Sequence, residues 1–350
     1  MRLVPVDNIT SDMSLAKKIY YHNNILLNTG IKDLYKYKEK LKSIGINYVY
    51  IEDKYSKDIE INHVIKDEIR EKGQRRIKSF MNDIKFNRSL NVSEIKNTVA
   101  DIIDEIFNNS EDVLVNMIDI KNYDDYTFEH SVNVAVYSII LGKALNFSVR
   151  DLKKLGVGAI LHDVGKILLP QEILLKKEKL NEEEYEIIQE HPKLGYDYIK
   201  NINEIDSASK SVILSHHERL NGSGYPKKNT NEEIHEFAKI VAITDVYDAL
   251  TSDRIYRKRW PVHEAINYIM SNSDQKFDNY FVEKFIRNLA IYPNGTLVRL
   301  SNGKKAIVKE QNKNYPTRPI LRVIEDEAGN EKIEEINLLK NLSIVINEVY

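Results

Sequence analysis

Of the nine histidines in this 350-residue chain, five (His130, His162, His191, His216 and His217) fall in short motifs with aspartates and one lysine. Three of those five have an adjacent partner of metal-ligand type: Asp163 follows His162, and His216 and His217 are neighbours. Asp245 stands in an otherwise apolar run, Ile240-Val241-Ala242-Ile243-Thr244-Asp245. A lone carboxylate buried in such a run is costly unless it is paired or bound to a cation. The fold must therefore draw positions spread from 130 to 245 to one point. His22, His63, His235 and His263 lack such company and read as ordinary polar residues.

The chain contains no cysteine. Disulfides, thiolate metal sites and cysteine nucleophiles are excluded, so a metal here takes nitrogen and oxygen ligands, which suits iron, manganese or zinc better than magnesium or calcium. Neighbouring side chains on a helix point ~100° apart. One helix can then give His162 to one cation while the two oxygens of Asp163 reach that cation and bridge to a second. His216 and His217 can approach one ion only where a helix end or loop bends toward it. Two metals ~3.5–4 Å apart would clamp a phosphodiester and deprotonate a bridging water for in-line attack. Lys166, on the same expected helix face as His162 and Asp163, is placed to hold a phosphate oxygen or protonate the leaving oxygen. Gly165 between them is expected to keep that face open for close approach.

Charge is balanced, with 51 basic and 53 acidic residues and a net charge of −2. No global field recruits a nucleic acid polymer. The most apolar stretch, 134–141, is interrupted by Ser138 and is short of a ~20-residue membrane span. The first residues, Met1-Arg2-Leu3-Val4-Pro5-Val6-Asp7, contain no apolar segment of signal-peptide length. No membrane partner is expected, and the expected location is the cytoplasm.

The expected fold is mainly α, an all-helical domain with a small α+β module before it and a small β-meander after it. Residues 1–60 read as the α+β module, with strand-like pieces at 18–21, 25–27 and 48–51 around a helix over 31–43. Residues 61–117 read as a helical connector: Ile65, Ile69, Ile77, Phe80, Met81 and Ile84, then Val92, Ile95, Val99, Ile102 and Ile106, recur at helical steps. Such helices either pack on the main domain or form a regulatory, dimerising connector. Residues 118–292 read as helical, with Val132, Val136, Ile139 and Ile140 as one apolar face of the first helix. From 293 to 350 the apolar period becomes two, with strands at 296–300, 306–308 and 320–324 separated by turn residues.

The motifs bear a family likeness. His162-Asp163-Val164-Gly165-Lys166-Ile167 resembles the HD motif of metal-dependent phosphohydrolases, and His216-His217-Glu218-Arg219-Leu220-Asn221-Gly222-Ser223-Gly224-Tyr225-Pro226 resembles the signature of the HD-GYP subfamily. Tyr126-Thr127-Phe128-Glu129-His130-Ser131 and Asp245-Val246-Tyr247-Asp248-Ala249-Leu250-Thr251-Ser252-Asp253-Arg254 match in the same order. The likeness covers residues 118–289, and 3–53 more weakly resembles a small domain found before HD-GYP domains. It implies an all-α domain that hydrolyses cyclic di-GMP to pGpG, and in some members on to GMP, with two divalent metal ions, iron or manganese. His130, His162, Asp163 and Asp245 would hold one metal; Asp163, His191, His216 and His217 would hold the other. Members with a third metal carry glutamate four residues before the first histidine; Tyr126 stands there in this chain, so a two-metal site is expected. The likeness also implies substrate contacts from Asp248, Arg254, Arg257 and Tyr225, and a substrate-side lip or protein-docking surface at Gly224-Tyr225-Pro226. A homodimer through the helical connector completes the expected partners. Two other readings stand beside the first: a hydrolase of another cyclic dinucleotide, and a catalytically silent cyclic di-GMP receptor.

Overall fold

Amphipathic helices bury their apolar stripes against one another, and the structure follows that rule over most of its length. The computed structural model describes residues 1–21, 24–61, 64–108, 126–176, 178–252, 259–312 and 315–350. The helical body begins with α2 (Asp67–Lys85) and α3 (Val92–Asn108), named after α1 (Lys38–Ser43) of the preceding module. It continues through α4 (Tyr126–Ala144), α5 (Val149–Ile160), α6 (Gln171–Leu174), α7 (Glu182–Gln189), α8 (His191–Ile199), α9 (Ser207–Ser215), α10 (Glu236–Thr251), α11 (Val262–Ser271) and α12 (Asn279–Arg287). Ile77 and Phe80 of α2 and Ile95, Val99 and Ile102 of α3 share one core with Val132 and Ile139 of α4, Leu155 of α5 and Ile240 of α10. The apolar faces that suggested a connector are thus buried in the main core.

Helix α4 is buried all round from Glu129 to Gly142 rather than on one face. Helices α2, α5, α10 and α12 pack on it from different sides. Its contact with α10 includes a buried hydroxyl pair, Ser138 to Thr244 at 2.8 Å, and an edge-on contact of Tyr137 with Tyr247; Tyr137 also meets Phe285 of α12 edge-on. This pins α4 and α10, which carry His130 and Asp245, side by side.

Before the helical body, β1 (Arg2–Pro5), β2 (Ser14–Leu15) and β5 (Tyr48–Glu52) form an antiparallel sheet in the order β1-β5-β2, and β3 (Ile19–Tyr21) pairs with β4 (Asn24–Leu27). The helix expected over 31–43 starts only at Lys38, after a 3-10 turn at Leu34–Tyr37. Asp33 sits at φ 58, a conformation that stops a helix from starting earlier. Strand β1 was not expected, because its four residues are too few to show a period.

After the body, β6 (Leu297–Leu300), β7 (Lys305–Glu310), β8 (Ile320–Glu325), β9 (Glu331–Asn337) and β10 (Ile346–Val349) form one antiparallel sheet in the order β10-β6-β7-β8-β9. The first three were legible as strands. Edge strand β9 buries only Ile336 among its seven residues, so its charged sequence carries no apolar alternation. The segment after β5 meets this sheet through Ile59, which packs with Ile307 and Ile324, and through a bidentate pair of Arg322 with Asp58 at 2.5 and 2.6 Å. Among the described residues no helix is long and apolar enough to cross a membrane.

Ile102 is fully buried in α3. Ile102→Ala is expected to cost about 2–5 kcal/mol in urea unfolding; a loss below about 0.5 kcal/mol, the size of an ordinary surface substitution, would show that α3 is not integral to the core.

Candidate metal centre

Three of the histidines are placed by the same local device. Past a helix C-terminus the last carbonyls have no partner within the helix. The Nδ1–H of His162, just beyond α5, donates to the Ala159 carbonyl at 2.7 Å. That of His191, just beyond α7, donates to Ile188 at 2.7 Å. That of His216, just beyond α9, reaches the Val212 and Ile213 carbonyls, each at 3.2 Å. In each ring the tautomer is set by the carbonyl, and Nε2 is left as a lone pair facing inward.

These lone pairs meet at Asp163. Its Oδ2 lies 3.2 Å from His162 Nε2 and 3.7 Å from His130 Nε2. Its Oδ1 lies 3.2 Å from His191 Nε2 and 3.8 Å from His216 Nε2. One carboxylate therefore faces two histidine pairs with different oxygens. Asp245 is held from α10, with Oδ1 3.2 Å from His130 Nε2 and Oδ2 3.8 Å from His217 Nδ1. Two groups emerge whose ligand atoms lie within 4.8 Å of one another: Asp163, His191, His216 and His217, and His130, His162 and Asp245.

The polar atoms are poised for cations rather than for each other. His191 Nε2 and His216 Nε2 stand 3.2 Å apart with lone pairs opposed. His162 Nε2 and Asp163 Oδ1 are buried without a hydrogen bond. Orphaned buried groups of this kind are costly in a native protein, and a bound cation satisfies them all. The donor set thus fits divalent metal.

Burial raises the carboxyl of Asp163, but the neighbouring His162 and Lys166 outweigh it and hold it well below the usual range. Burial likewise opposes ionisation of Asp245, but its neighbours His130 and His217 outweigh it and hold the carboxyl well below the usual range. Burial, reinforced by neighbouring imidazoles, pushes His216 and His217 well below an ordinary histidine. They present neutral imidazole nitrogens to the cluster.

Two expectations about the HD segment change. His162, Asp163 and Lys166 do not share one helix: α5 stops at Ile160, and Val164–Leu168 is a 3-10 turn. In a 3-10 turn residues three apart eclipse, so Lys166 still reaches Asp163, with Nζ 2.5 Å from Oδ2. Gly165 does not open a face. A side chain there would place its Cβ 1.9 Å from the His191 carbonyl oxygen and 2.6 Å from the Gly195 nitrogen. The missing Cβ lets α8 close onto the HD turn and brings His191 to Asp163.

Asp248 was expected at the substrate. It is 1% exposed, and its Oδ2 accepts from His130 Nδ1 at 2.7 Å while Oδ1 accepts from Asn133 Nδ2 at 3.0 Å. It sits behind His130, on the side away from Asp163 and Asp245. Tyr225 is half-buried with its ring 4.6 Å from that of His217. Burial raises its phenol far above the ordinary value, so it is a neutral neighbour of the ligands. Arg254 and Arg257 lie outside the described residues.

Residues not anticipated also shape the site. Glu218, 2% exposed, accepts from the backbone of Lys227 at 2.7 Å and Asn229 at 3.0 Å, and so clips the Gly224-Tyr225-Pro226 loop back onto the histidine pair. Gly224 permits this closure, since a Cβ would lie 2.4 Å from both Glu218 Cα and the His217 carbonyl oxygen. Asn133 and Arg70, both buried, line up behind Asp248. Asn133 had a readable signal, a lone amide in the apolar run Val132 to Val136.

The helical fold with paired His and Asp candidate ligands at a helix end defines a class. Residues 112–280 match the HD domain, and residues 297–350 match the KOW domain associated with the HD domain. Over residues 112–280 the chain carries an HD domain. It is 31% identical over 265 residues, 74% of its length, to a cyclic di-GMP phosphodiesterase of Pseudomonas aeruginosa, and spans 64% of that protein. It is 35% identical over 185 residues to a 3'3'-cGAMP-specific phosphodiesterase of Vibrio cholerae, covering 51% of this chain and 41% of the relative. Among solved structures, an HDG"Y"P protein from Bdellovibrio bacteriovorus aligns over 81% of this chain and 97% of its own, at 20% identity and a TM-score of 0.53, a likeness of fold.

Gly165→Ala is expected to destabilise the protein by at least about 1–3 kcal/mol through overpacking and to weaken metal binding on the His191 side. Thermal unfolding and metal titration check this, and an unperturbed variant would refute the close approach of α8.

Proposed function

We propose that this chain is a metal-dependent phosphodiesterase that hydrolyses cyclic di-GMP to pGpG. The observation that carries the reading is the division of Asp163 between two histidine pairs, one per carboxylate oxygen. His130, His162, Asp163 and Asp245 are read as the ligands of one ion, and Asp163, His191, His216 and His217 as those of the other. When bound, two divalent cations supply charge to both oxygens of an in-line displacement at phosphorus and lower the pKa of the attacking water. Iron or manganese suits the nitrogen and oxygen donors.

The protein's own groups complete the reaction. Lys166 is one-quarter exposed and next to Asp163, so its ammonium can take up a phosphate oxygen or protonate the leaving oxygen. Tyr225, clipped by Glu218 beside His217, offers a ring face and a neutral hydroxyl to the substrate. Arg254 and Arg257 are proposed phosphate contacts from the residues after α10. Tyr126 in place of a ligating glutamate favours two ions over three and pGpG over GMP as product.

The proposed division is 1–60, 61–117, 118–292 and 293–350. Exposed Phe86 and Phe107 at the ends of α2 and α3 support a homodimer through that segment. A protein partner at the Gly224-Tyr225-Pro226 loop and a cytoplasmic location belong to the same reading.

The Vibrio relative named for 3'3'-cGAMP favours one alternative, a different cyclic dinucleotide. Anaerobic purification, elemental analysis and product analysis on both dinucleotides decide; faster turnover of cyclic GMP-AMP would transfer the assignment, and bound dinucleotide without turnover would make the chain a receptor. Asp163→Asn is expected to lower the content of both ions, His191→Ala mainly that of one; unchanged stoichiometry in Asp163→Asn would contradict a shared carboxylate. Lys166→Ala is expected to lower kcat by about 10²–10⁴-fold, the range for a general acid, with metal content preserved. Loss of metal instead would make Lys166 structural.

A further inference from the structure

Behind the metal centre runs a buried chain of polar groups that starts outside the matched HD domain. Arg70 on α2 is 5% exposed, and its Nη1 donates to Asn133 Oδ1 at 2.9 Å. Asn133 Nδ2 donates to Asp248 Oδ1 at 3.0 Å, and Asp248 Oδ2 lies 2.7 Å from His130 Nδ1. His130 Nε2 then faces Asp245 and Asp163 at 3.2 and 3.7 Å. Asn133 and His130 are each 2% exposed.

Donor and acceptor chemistry gives this chain a direction. A guanidinium has donors only, so it demands the carbonyl end of Asn133. The amide's NH₂ end must then face Asp248. An ionised carboxylate has acceptors only, so it demands a donor from His130, which fixes the proton on Nδ1 and leaves Nε2 as the lone pair aimed at the ligand cluster. With the amide reversed, a carbonyl would face a carboxylate in a dry interior, and His130 would lose the orientation of its ring. Burial also makes a positive charge near Asp248 consequential, because a buried carboxylate is stable only where it is hydrogen-bonded and charge-compensated.

We propose that Arg70 and Asn133 are positioning residues for the His130 side of the metal centre, so that α2 sets the affinity of that ion. The proposal rests on the two-ion reading above and deepens it. Its physical consequence is that a displacement of α2 relative to α4 would alter one ion site and leave the other unchanged. In the second group, His191 and His216 are oriented instead by carbonyls of α7 and α9, and the group meets this chain at Asp163 and through the Asp245–His217 contact.

The test is calorimetric titration of metal-free protein with Mn²⁺, for wild type, Arg70→Met, Asn133→Leu and the double variant, each checked by thermal unfolding. Wild type is expected to bind two ions. Arg70→Met is expected to weaken one binding event about 10- to 100-fold, the usual cost of losing a group that orients a ligand, with the other unchanged. Asn133→Leu should do the same, and adding Arg70→Met to it should cost little more, since Arg70 acts through Asn133. Two ions bound with wild-type affinity in Arg70→Met, equal weakening of both events, or additive effects would each overturn the proposal while leaving the hydrolase reading intact. Wild type that binds no Mn²⁺ would instead sink the two-ion reading. If Arg70→Met does not fold, Asn133→Leu alone reads the same link, with the same outcomes.

Discussion

The structure depends on one carboxylate that two sets of imidazoles approach from opposite sides. Asp163 is 1% exposed and engages His162 and His130 through one oxygen, His191 and His216 through the other. A buried anion ringed by lone pairs is a poor arrangement for a protein alone, because nothing in it neutralises the repulsion between His191 and His216. It is a good one for cations. Much of the surrounding fold can be understood as holding that unfavourable geometry in readiness.

Three features do the holding. Helix ends supply carbonyls that lock the Nδ1 protons of His162, His191 and His216, so the ligating nitrogens face inward without side-chain help. The contact between Gly165 and α8, with no Cβ in the way, sets the spacing between the HD turn and His191. Glu218, acting on two backbone amides, folds the Gly-Tyr-Pro loop over His217. His130 takes its orientation from side chains, Asp248 and then Asn133 and Arg70, and that chain leads out of the HD domain into α2. The centre is thus rigid on one side and tied to a preceding helix on the other.

The candidate ligands were legible because polar residues of metal-binding type are conspicuous in apolar stretches, as Asp245 is after Ile240-Val241-Ala242-Ile243. Helices α2 and α3 were legible from their steps of three and four. Other things were not. The break of α5 at Ile160 was not read, since Leu161-His162-Asp163-Val164 could continue a helix; in the structure a 3-10 turn follows, and Gly165 within it packs closely against α8. Lys166 kept its partner despite that break because the eclipsed spacing of a 3-10 turn replaces the helical one. The place of Asp248 behind a histidine, rather than in front of the substrate, depends on which side of α10 meets α4. Strand β9 could not be read because an edge strand needs no apolar alternation.

By itself, the sequence determined the chemistry: a cysteine-free set of imidazoles and carboxylates can bind only certain cations, and apolar periodicity decides which segments are helices and which are strands. Tertiary structure decided the roles. Which oxygen of Asp163 serves which histidines, whether Asp248 touches substrate or ligand, and whether Arg70 matters at all are set by distances between segments far apart in the chain. Short-range pattern carries no information about such distances, because they arise from how whole helices pack.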